Sequence, residues 1–208
     1  MVKKQSNSFM SCDGKTSIHV VMWRPDENEY DKPVAVLQIS HGMIEYIDRY
    51  DGFARFMADR GFVVVGNDHL GHGESVCSDD DLGFFKDEHP GEALAKDVHH
   101  LTVLTKKMYP GIPYYLLGHS MGSFVTRKYI CDYGYELDGV IIMGTGHQPT
   151  PMVLAGKALA DITRFIKGDR YRSRLISKIM FGAYNKRIKN VRTSNDWLTR
   201  DETVVDEY

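Results

Sequence analysis

Apolar residues along the chain alternate between short continuous runs and a helical spacing of three to four positions. The short runs predict strands at 17–23, 33–40, 62–66, 114–117 and 140–143. The helical spacing predicts helices at 49–60, 90–108 and 121–133. We expect a leading antiparallel pair of strands and then strand–helix alternation. That order is typical of an α/β fold, with a mostly parallel sheet and helices on both faces.

Details of two helices follow from the same pattern. In the first helix, Phe53, Phe56 and Met57 share one face, which makes the segment amphipathic, and Gly61 is expected to end it. In the helix at 90–108 one face carries Leu94, Val98, Leu101, Leu104 and Met108.

After the last predicted strand, helical segments follow one another without a strand between them. We expect helices at 152–165 and 174–184. Residues 151–192 hold eleven Lys and Arg against two acids, Asp161 and Asp169. A solvated helical insertion accounts for this basic segment. The alternative is a lid that makes peripheral contact with anionic lipid.

Composition narrows the class of protein. A length of 208 residues with 42% hydrophobic and 26% charged residues fits a globular chain of one domain or slightly more. The net charge of −2 gives no bias toward nucleic acid. Cys12, Cys77 and Cys131 are widely spaced, which favours free thiols in a reducing compartment. With no apolar leader near residue 1 and no run of about 18 apolar residues, we expect a cytoplasmic protein.

The sequence Gly118-His119-Ser120-Met121-Gly122 carries the strongest chemical signal. It is a G-x-S-x-G motif that lies between a predicted strand and a predicted helix. Flanking glycines let such a turn close tightly, and the turn raises the serine hydroxyl above the sheet. We therefore expect Ser120 to be a nucleophile and the backbone N–H of Met121 to be an oxyanion donor.

A second glycine turn supports this interpretation. Ile39-Ser40-His41-Gly42-Met43 follows an earlier predicted strand, and parallel strands place such ends at one edge of the sheet. An HG turn is often purely structural. Beside a nucleophile turn, however, the backbone N–H of Met43 is a candidate for the second oxyanion donor.

Together, ISHGMIEYIDRY, GNDHLGHGES and LLGHSMGS resemble the α/β-hydrolases of the monoacylglycerol lipase and lysophospholipase group, which is often merged with serine aminopeptidase-like hydrolases. The resemblance is dense from 33 to 146, weak over the helical segment and present again at 197–208. It implies an α/β-hydrolase core at 1–148, a helical cap at 149–194 and, at 195–208, the start of a return to the core.

The resemblance implies roles for single residues. The nucleophile falls on Ser120, the oxyanion donors on Met43 and Met121, and the lining of a glycerol-like head-group pocket on Glu45 and Arg49. Without any ligand, Glu45 and Arg49 are also an i,i+4 ion pair at a helix start, and both interpretations stay open. We expect His119 to support the turn rather than to be the base.

The remaining histidines have simpler interpretations. Asp68, His69 and His72 are expected to shape the glycine-rich loop, and His99 and His100 to lie on a helix. None of the His, Asp and Glu groups has a compact metal-ligand spacing, so we expect neither metal nor cofactor.

A catalytic triad on this fold has the chain order Ser, Asp or Glu, then His. After Ser120 the sequence contains one histidine, His147. No acid lies between the last predicted strand and this histidine, and the acids of the tail, such as Asp196 and Asp201, have no histidine after them. We therefore expect the triad acid and base, together with the C-terminal strands, to lie outside these 208 residues. The strand at 140–143 would then be an exposed edge that favours self-association.

The expected activity is hydrolysis of a small-molecule lipid ester through an acyl-enzyme on Ser120. The substrate class is a monoacylglycerol or a lysophospholipid. Two alternatives remain: a peptidase-like hydrolase on the same fold, and an inactive fragment that acts as a binding module.

Overall fold

A computed structural model describes residues 1–84 and 89–208. The chain divides into two compact units, Met1–Gly146 and His147–Tyr208. The first unit contains the sheet and all of the predicted catalytic residues.

The first unit is built on one mixed sheet of six strands in the order β1-β2-β4-β3-β5-β6. The strands are β1 Lys3–Met10, β2 Ser17–Arg24, β3 Ala35–Ser40, β4 Phe62–Asn67, β5 Tyr114–His119 and β6 Gly139–Met143. β1, β2 and β4 pair antiparallel, whereas β4, β3, β5 and β6 pair parallel. The predicted α/β fold is confirmed, since this is the mostly parallel sheet that strand–helix alternation implies.

Helices cover the sheet. They are α1 Asp51–Ala58, α2 Pro90–Met108 and α3 Met121–Tyr133, and a 3₁₀ turn at Ile47–Tyr50 leads into α1. The predicted bounds of α2 and α3 agree with the structure. Gly61 follows α1 with φ +85°, as expected of a glycine that ends a helix.

The first strand, β1, is absent from the sequence-based prediction. Its sequence KKQSNSFM is almost wholly exposed, with only Phe9 partly buried. Since it pairs with β2 at the edge of the sheet, its position depends on backbone hydrogen bonds and on Phe9, which packs against the core clusters.

The buried face of α1 differs from the predicted one. Phe53 and Phe56 are 41% and 51% exposed, whereas Ala54 and Ala58 are fully buried. The two alanines pack into a core cluster with Trp23, Leu37 and other residues of the sheet. Small side chains on this face let the helix lie close to the sheet. Of the predicted apolar positions, Met57 packs against this cluster, whereas the expectation was wrong for Phe53 and Phe56.

The other face of the sheet buries Leu94, Val98 and Leu101 of α2, as predicted, while Met108 is 54% exposed. Gln38 is a polar group within this core. Its amide donates to Val98 O at 2.9 Å, and its oxygen accepts from Thr102 and Tyr114. These bonds satisfy a side chain that would otherwise destabilise the core.

β6 is the last strand of the sheet order in the described part of the chain. Its four apolar residues Val140, Ile141, Ile142 and Met143 are between 37% and 47% exposed. The strand is therefore an edge, as expected, while self-association through it remains a prediction.

The second unit contains α4 Thr150–Lys167, α5 Arg174–Phe181 and α6 Glu202–Glu207. Ser173 caps α5, since its hydroxyl accepts from Ile176 N–H. The predicted helices at 152–165 and 174–184 correspond to α4 and to α5 with the 3₁₀ turn Tyr184–Arg187 that follows it. Among the described residues, every helix is too short or too polar to cross a bilayer. The role of this unit as a cap stays a prediction.

Candidate active site

Ser120 forms the turn between β5 and α3. Its backbone has φ 51° and ψ −116°, a conformation that residues other than glycine rarely adopt. Strain of this kind persists only where the surroundings enforce it. The turn places the predicted nucleophile at the carboxyl end of β5 and at the N-terminus of α3.

The glycines on either side of Ser120 are required by close backbone approach. A Cβ at Gly118 would collide with Thr126 and with the carbonyl of Gly122. A Cβ at Gly122 would collide with the carbonyl oxygens of Ser40 and His41, at the end of β3. Gly118 therefore packs against the start of α3, and Gly122 packs against the backbone at the end of β3.

Hydrogen bonds hold the turn in place. Ser120 N–H donates to Met143 O of β6 at 3.0 Å. Ser120 O accepts from the N–H of Ser123 at 3.0 Å and from its hydroxyl at 2.6 Å. These bonds fix the peptides on both sides of the serine, which helps to maintain its strained dihedral angles.

The loop after β3 lies beside this turn. A Cβ built on Gly42 would lie 3.2 Å from Cβ of Ser120, so Gly42 permits the two segments to approach. Ile44, two residues further on, has φ 59° although it is β-branched, and its side chain is 64% exposed. Both segments that were expected to form the oxyanion hole are thus adjacent and strained.

The two predicted oxyanion donors are the backbone N–H groups of Met43 and Met121. Among the described residues, neither N–H donates a hydrogen bond to another part of the chain. Met121 is the first residue of α3, where the N–H groups of a helix point outward and the dipole favours negative charge. The arrangement suits an anionic oxygen, and the donor assignment stays a prediction.

Glu45 lies at the centre of a hydrogen-bond network between the two segments. Its Oε1 accepts from Gly42 N–H, from Tyr50 Oη at 3.0 Å and from His119 Nδ1 at 3.1 Å. Its Oε2 lies 3.3 Å from Arg49, so the predicted i,i+4 ion pair is present. Burial alone would raise the pKa of Glu45, but the His119 and Gly42 hydrogen bonds outweigh it and hold the pKa below its usual range.

Tyr50 belongs to this network, although it was not among the predicted site residues. Its hydroxyl also lies 3.1 Å from Nδ1 of His119. Burial and the Glu45 charge raise the pKa of Tyr50, so its hydroxyl stays protonated as a donor. A tyrosine one residue after Arg49 in the EYIDRY segment was the available clue. As expected, His119 supports the turn, since its Nδ1 faces Glu45 and Tyr50.

Three buried histidines, His41, His69 and His72, cluster at the carboxyl ends of β3 and β4. His41 Nδ1 lies 2.7 Å from Gly42 O, and its Nε2 accepts from His69 N–H at 2.9 Å. The ring centroid of His41 lies 4.4 Å from that of His69 and 5.5 Å from that of His72. Burial lowers the pKa of His41 to about 4 and also lowers those of His69 and His72. The cluster is therefore neutral and structural at pH 7.

Asp68 organises the glycine-rich loop, as the sequence predicted. Its two carboxylate oxygens accept from the N–H groups of Ile47 at 2.7 Å and Glu74 at 2.8 Å. Gly73 has φ 50°, and a Cβ there would collide with the Asp68 carboxylate. Burial raises the pKa of Asp68. Asp68, His69 and His72 thus shape the loop and do not contact Ser120.

Ser120 Oγ has no hydrogen-bond partner among the described residues of the first unit. No described group of His, Cys, Asp and Glu side chains is arranged to hold a metal ion. The unit therefore brings together the predicted nucleophile turn and the two predicted backbone donors, and no described residue of the unit supplies a base hydrogen-bonded to Ser120.

Comparison with known proteins identifies the family and the fold of this chain. The family described as "Serine aminopeptidase, S33" matches residues 31–208. A monoglyceride lipase homolog of monkeypox virus is 33% identical over 153 residues, which are 70% of this chain and 51% of that protein. Human monoglyceride lipase is 26% identical over 89% of this chain and 53% of its own length. The chain thus spans about half the length of these curated relatives.

Solved structures give the same fold. A thermostable carboxyl esterase from Bacillus coagulans, in complex with glycerol, superposes with a TM-score of 0.85 and 29% identity. The superposition covers 98% of this chain and 64% of the esterase. A structure described as a lipase in its open form gives a TM-score of 0.81 and 27% identity over 99% of this chain and 65% of the other. The chain belongs to the serine aminopeptidase S33 family of α/β-hydrolases.

Proposed function

We propose that this chain provides the nucleophile and the oxyanion hole of a serine hydrolase that cleaves carboxylic esters. The observation that carries the proposal is the backbone of Ser120, with φ 51° and ψ −116°, held between a strand and a helix. Strained turns of this kind present a nucleophile above a sheet.

In the proposed reaction, Ser120 Oγ attacks the ester carbonyl carbon and its proton passes to a base. The carbonyl oxygen becomes negatively charged and accepts hydrogen bonds from Met43 and Met121 N–H. The C–O bond to the alcohol then breaks, the protonated base gives its proton to the leaving oxygen, and the acyl group stays on Ser120. Water attacks this acyl-enzyme, which releases the carboxylic acid and restores the serine hydroxyl.

The proposed substrates are lipid esters with a glycerol-type head group, monoacylglycerols or lysophospholipids. Support comes from the relatives, several of which are named monoglyceride lipases. Glu45 and Arg49 are the proposed lining of the polar pocket. Arg49 is the more accessible of the two, since its side chain is 32% exposed against 9% for Glu45.

A second candidate is a module that binds such esters with little turnover. It is favoured by the absence of a hydrogen-bonded base at Ser120 Oγ in the described part of the first unit. Without a base the serine hydroxyl is a weak nucleophile, and loss of one triad member leaves only the contribution of the oxyanion hole and of binding.

The 208-residue chain, assayed alone, is expected to hydrolyse a monoacylglycerol and a short p-nitrophenyl ester at a rate about 10⁴-fold or more below that of human monoglyceride lipase. After incubation with the p-nitrophenyl ester, the wild type and the control Ser8→Ala should carry an acyl group on Ser120. Ser120→Ala should carry none, although its slow hydrolysis through the oxyanion hole and binding persists. An aminoacyl p-nitroanilide, the substrate of a peptidase, should not be cleaved. Acylation of Ser120→Ala to the same extent as the wild type would overturn the proposed nucleophile.

A further inference from the structure

The carboxylate of Glu45 connects the two segments that carry the proposed oxyanion donors. Gly42, which donates its N–H to Oε1, directly precedes Met43. His119, whose Nδ1 lies 3.1 Å from the same oxygen, directly precedes Ser120 and stands two residues before Met121. Oε1 of Glu45 therefore holds both Gly42, which is next to Met43, and His119, which is next to Ser120.

We propose that Glu45 is a positioning residue that fixes the oxyanion loop against the nucleophile turn. This inference rests on the proposed function of Ser120 and goes beyond a head-group contact for Glu45. It requires that Glu45 act through Gly42 and His119 even when the substrate has no head group for it to contact.

The packing of Glu45 supports a role inside the protein. Its side chain is 9% exposed, and its two oxygens contact four groups of the chain, which belong to Gly42, Arg49, Tyr50 and His119. These internal partners give the carboxylate a role that does not depend on a ligand. A simple i,i+4 ion pair with Arg49 would not account for the bonds to Gly42, Tyr50 and His119.

The backbone around Glu45 shows why such a restraint is needed. Ile44 adopts φ 59°, which is unfavourable for a β-branched residue, and Ser120 adopts φ 51°. A Cβ on Gly42 would lie 2.6 Å from Glu45 Oε1 and 3.2 Å from Ser120 Cβ, so carboxylate, loop and nucleophile turn are in mutual contact. Gly42 N–H belongs to the His41–Gly42 peptide, and the next peptide carries the Met43 N–H. Without the acceptor at Oε1, the first peptide would lose its restraint and could displace the second, whose carbonyl is held by His41 Nδ1 at 2.7 Å.

Labelling of Ser120 by a fluorophosphonate that lacks a glycerol group separates positioning from head-group binding. Glu45→Ala is expected to slow labelling about 100-fold, since a misplacement of about 1 Å costs this much in rate. Glu45→Gln, which keeps an oxygen acceptor for Gly42, should stay within about tenfold of the wild type. The matched control Glu29→Ala replaces an exposed glutamate and should leave the rate unchanged. An unchanged labelling rate in Glu45→Ala would overturn the proposal. It is the result expected if Glu45 only bound the head group of a substrate, because the fluorophosphonate has no such group.

Amide hydrogen exchange of the wild-type protein provides a test that needs neither a variant nor activity. Gly42 N–H, bonded to a buried carboxylate, is expected to exchange much more slowly than the neighbouring Met43 N–H. Equal exchange of the two would overturn the proposal. If Gly42 is protected but the wild type takes no label at Ser120, the positioning contact stands and the proposed hydrolase function fails.

Discussion

Replacing Gly122 with alanine is expected to lower the free energy of unfolding by about 3 kcal/mol. The added methyl group would meet the carbonyl oxygens of Ser40 and His41, which belong to the backbone and cannot rotate away as a side chain would. Either α3 or the loop after β3 must shift. Since these two segments carry Met121 and Met43, the shift should also slow labelling of Ser120.

Gly52→Ala is the matched control for this substitution. Gly52 lies within α1, and a Cβ there would meet no atom within 4 Å. Alanine is the better helix former, so Gly52→Ala should raise the free energy of unfolding by up to about 1 kcal/mol. Urea denaturation at pH 7 measures both variants. A loss for Gly122→Ala no greater than experimental error would contradict the packing of the motif against β3.

Acidification from pH 6.5 to pH 4 is expected to destabilise the protein through the buried histidines. A histidine whose folded pKa is depressed stabilises the fold fully above its unfolded pKa and loses that contribution as the pH falls toward the folded value. Burial lowers the pKa of His41 from 6.5 to about 4, and this difference between the unfolded and folded states corresponds to about 3 kcal/mol of stability. His69 and His72 add to this loss, since burial lowers the pKa of both.

Two buried carboxylates act in the opposite direction. Burial raises the pKa of Asp68 and Asp97, so their protonation favours the folded state as the pH falls. The histidine contribution is isolated by comparing His41→Asn with the wild type in urea denaturation at several pH values. Between pH 6.5 and pH 4, the free energy of unfolding of the variant should fall less steeply with decreasing pH. The difference in slope should correspond to about one proton fewer taken up on unfolding. The control His147→Gln, at an exposed position, should keep the wild-type slope.

The sequence predicts the fold well where local patterns and tertiary packing agree. The apolar runs at β3, β4 and β5 are buried strands, and the periodicity of α2 corresponds to a buried stripe. β1 could not be found in this way, because an exposed edge strand has no apolar pattern. The buried face of α1 was predicted wrongly because periodicity favoured the large side chains Phe53 and Phe56, whereas close contact with the sheet selects Ala54 and Ala58.

The site was predictable to the extent that its chemistry resides in the backbone. Glycines at 118 and 122 indicated the turn, and the structure accounts for each by a specific collision. Contacts between distant side chains were not accessible. The approach of Tyr50 and His119 to Glu45 joins three separate positions of the chain, and only the packing of β3 beside β5 brings them together.

The most direct test of the account is to identify by mass spectrometry the residue that a fluorophosphonate modifies in the 208-residue protein. The reaction is expected to be slow, since no base is hydrogen-bonded to Ser120 in the described part of the first unit. The modified peptide should nevertheless carry the label on Ser120, and labelling should be lost in Ser120→Ala. A label on another residue, or equal labelling of Ser120→Ala, would contradict the assignment of Ser120 as the nucleophile.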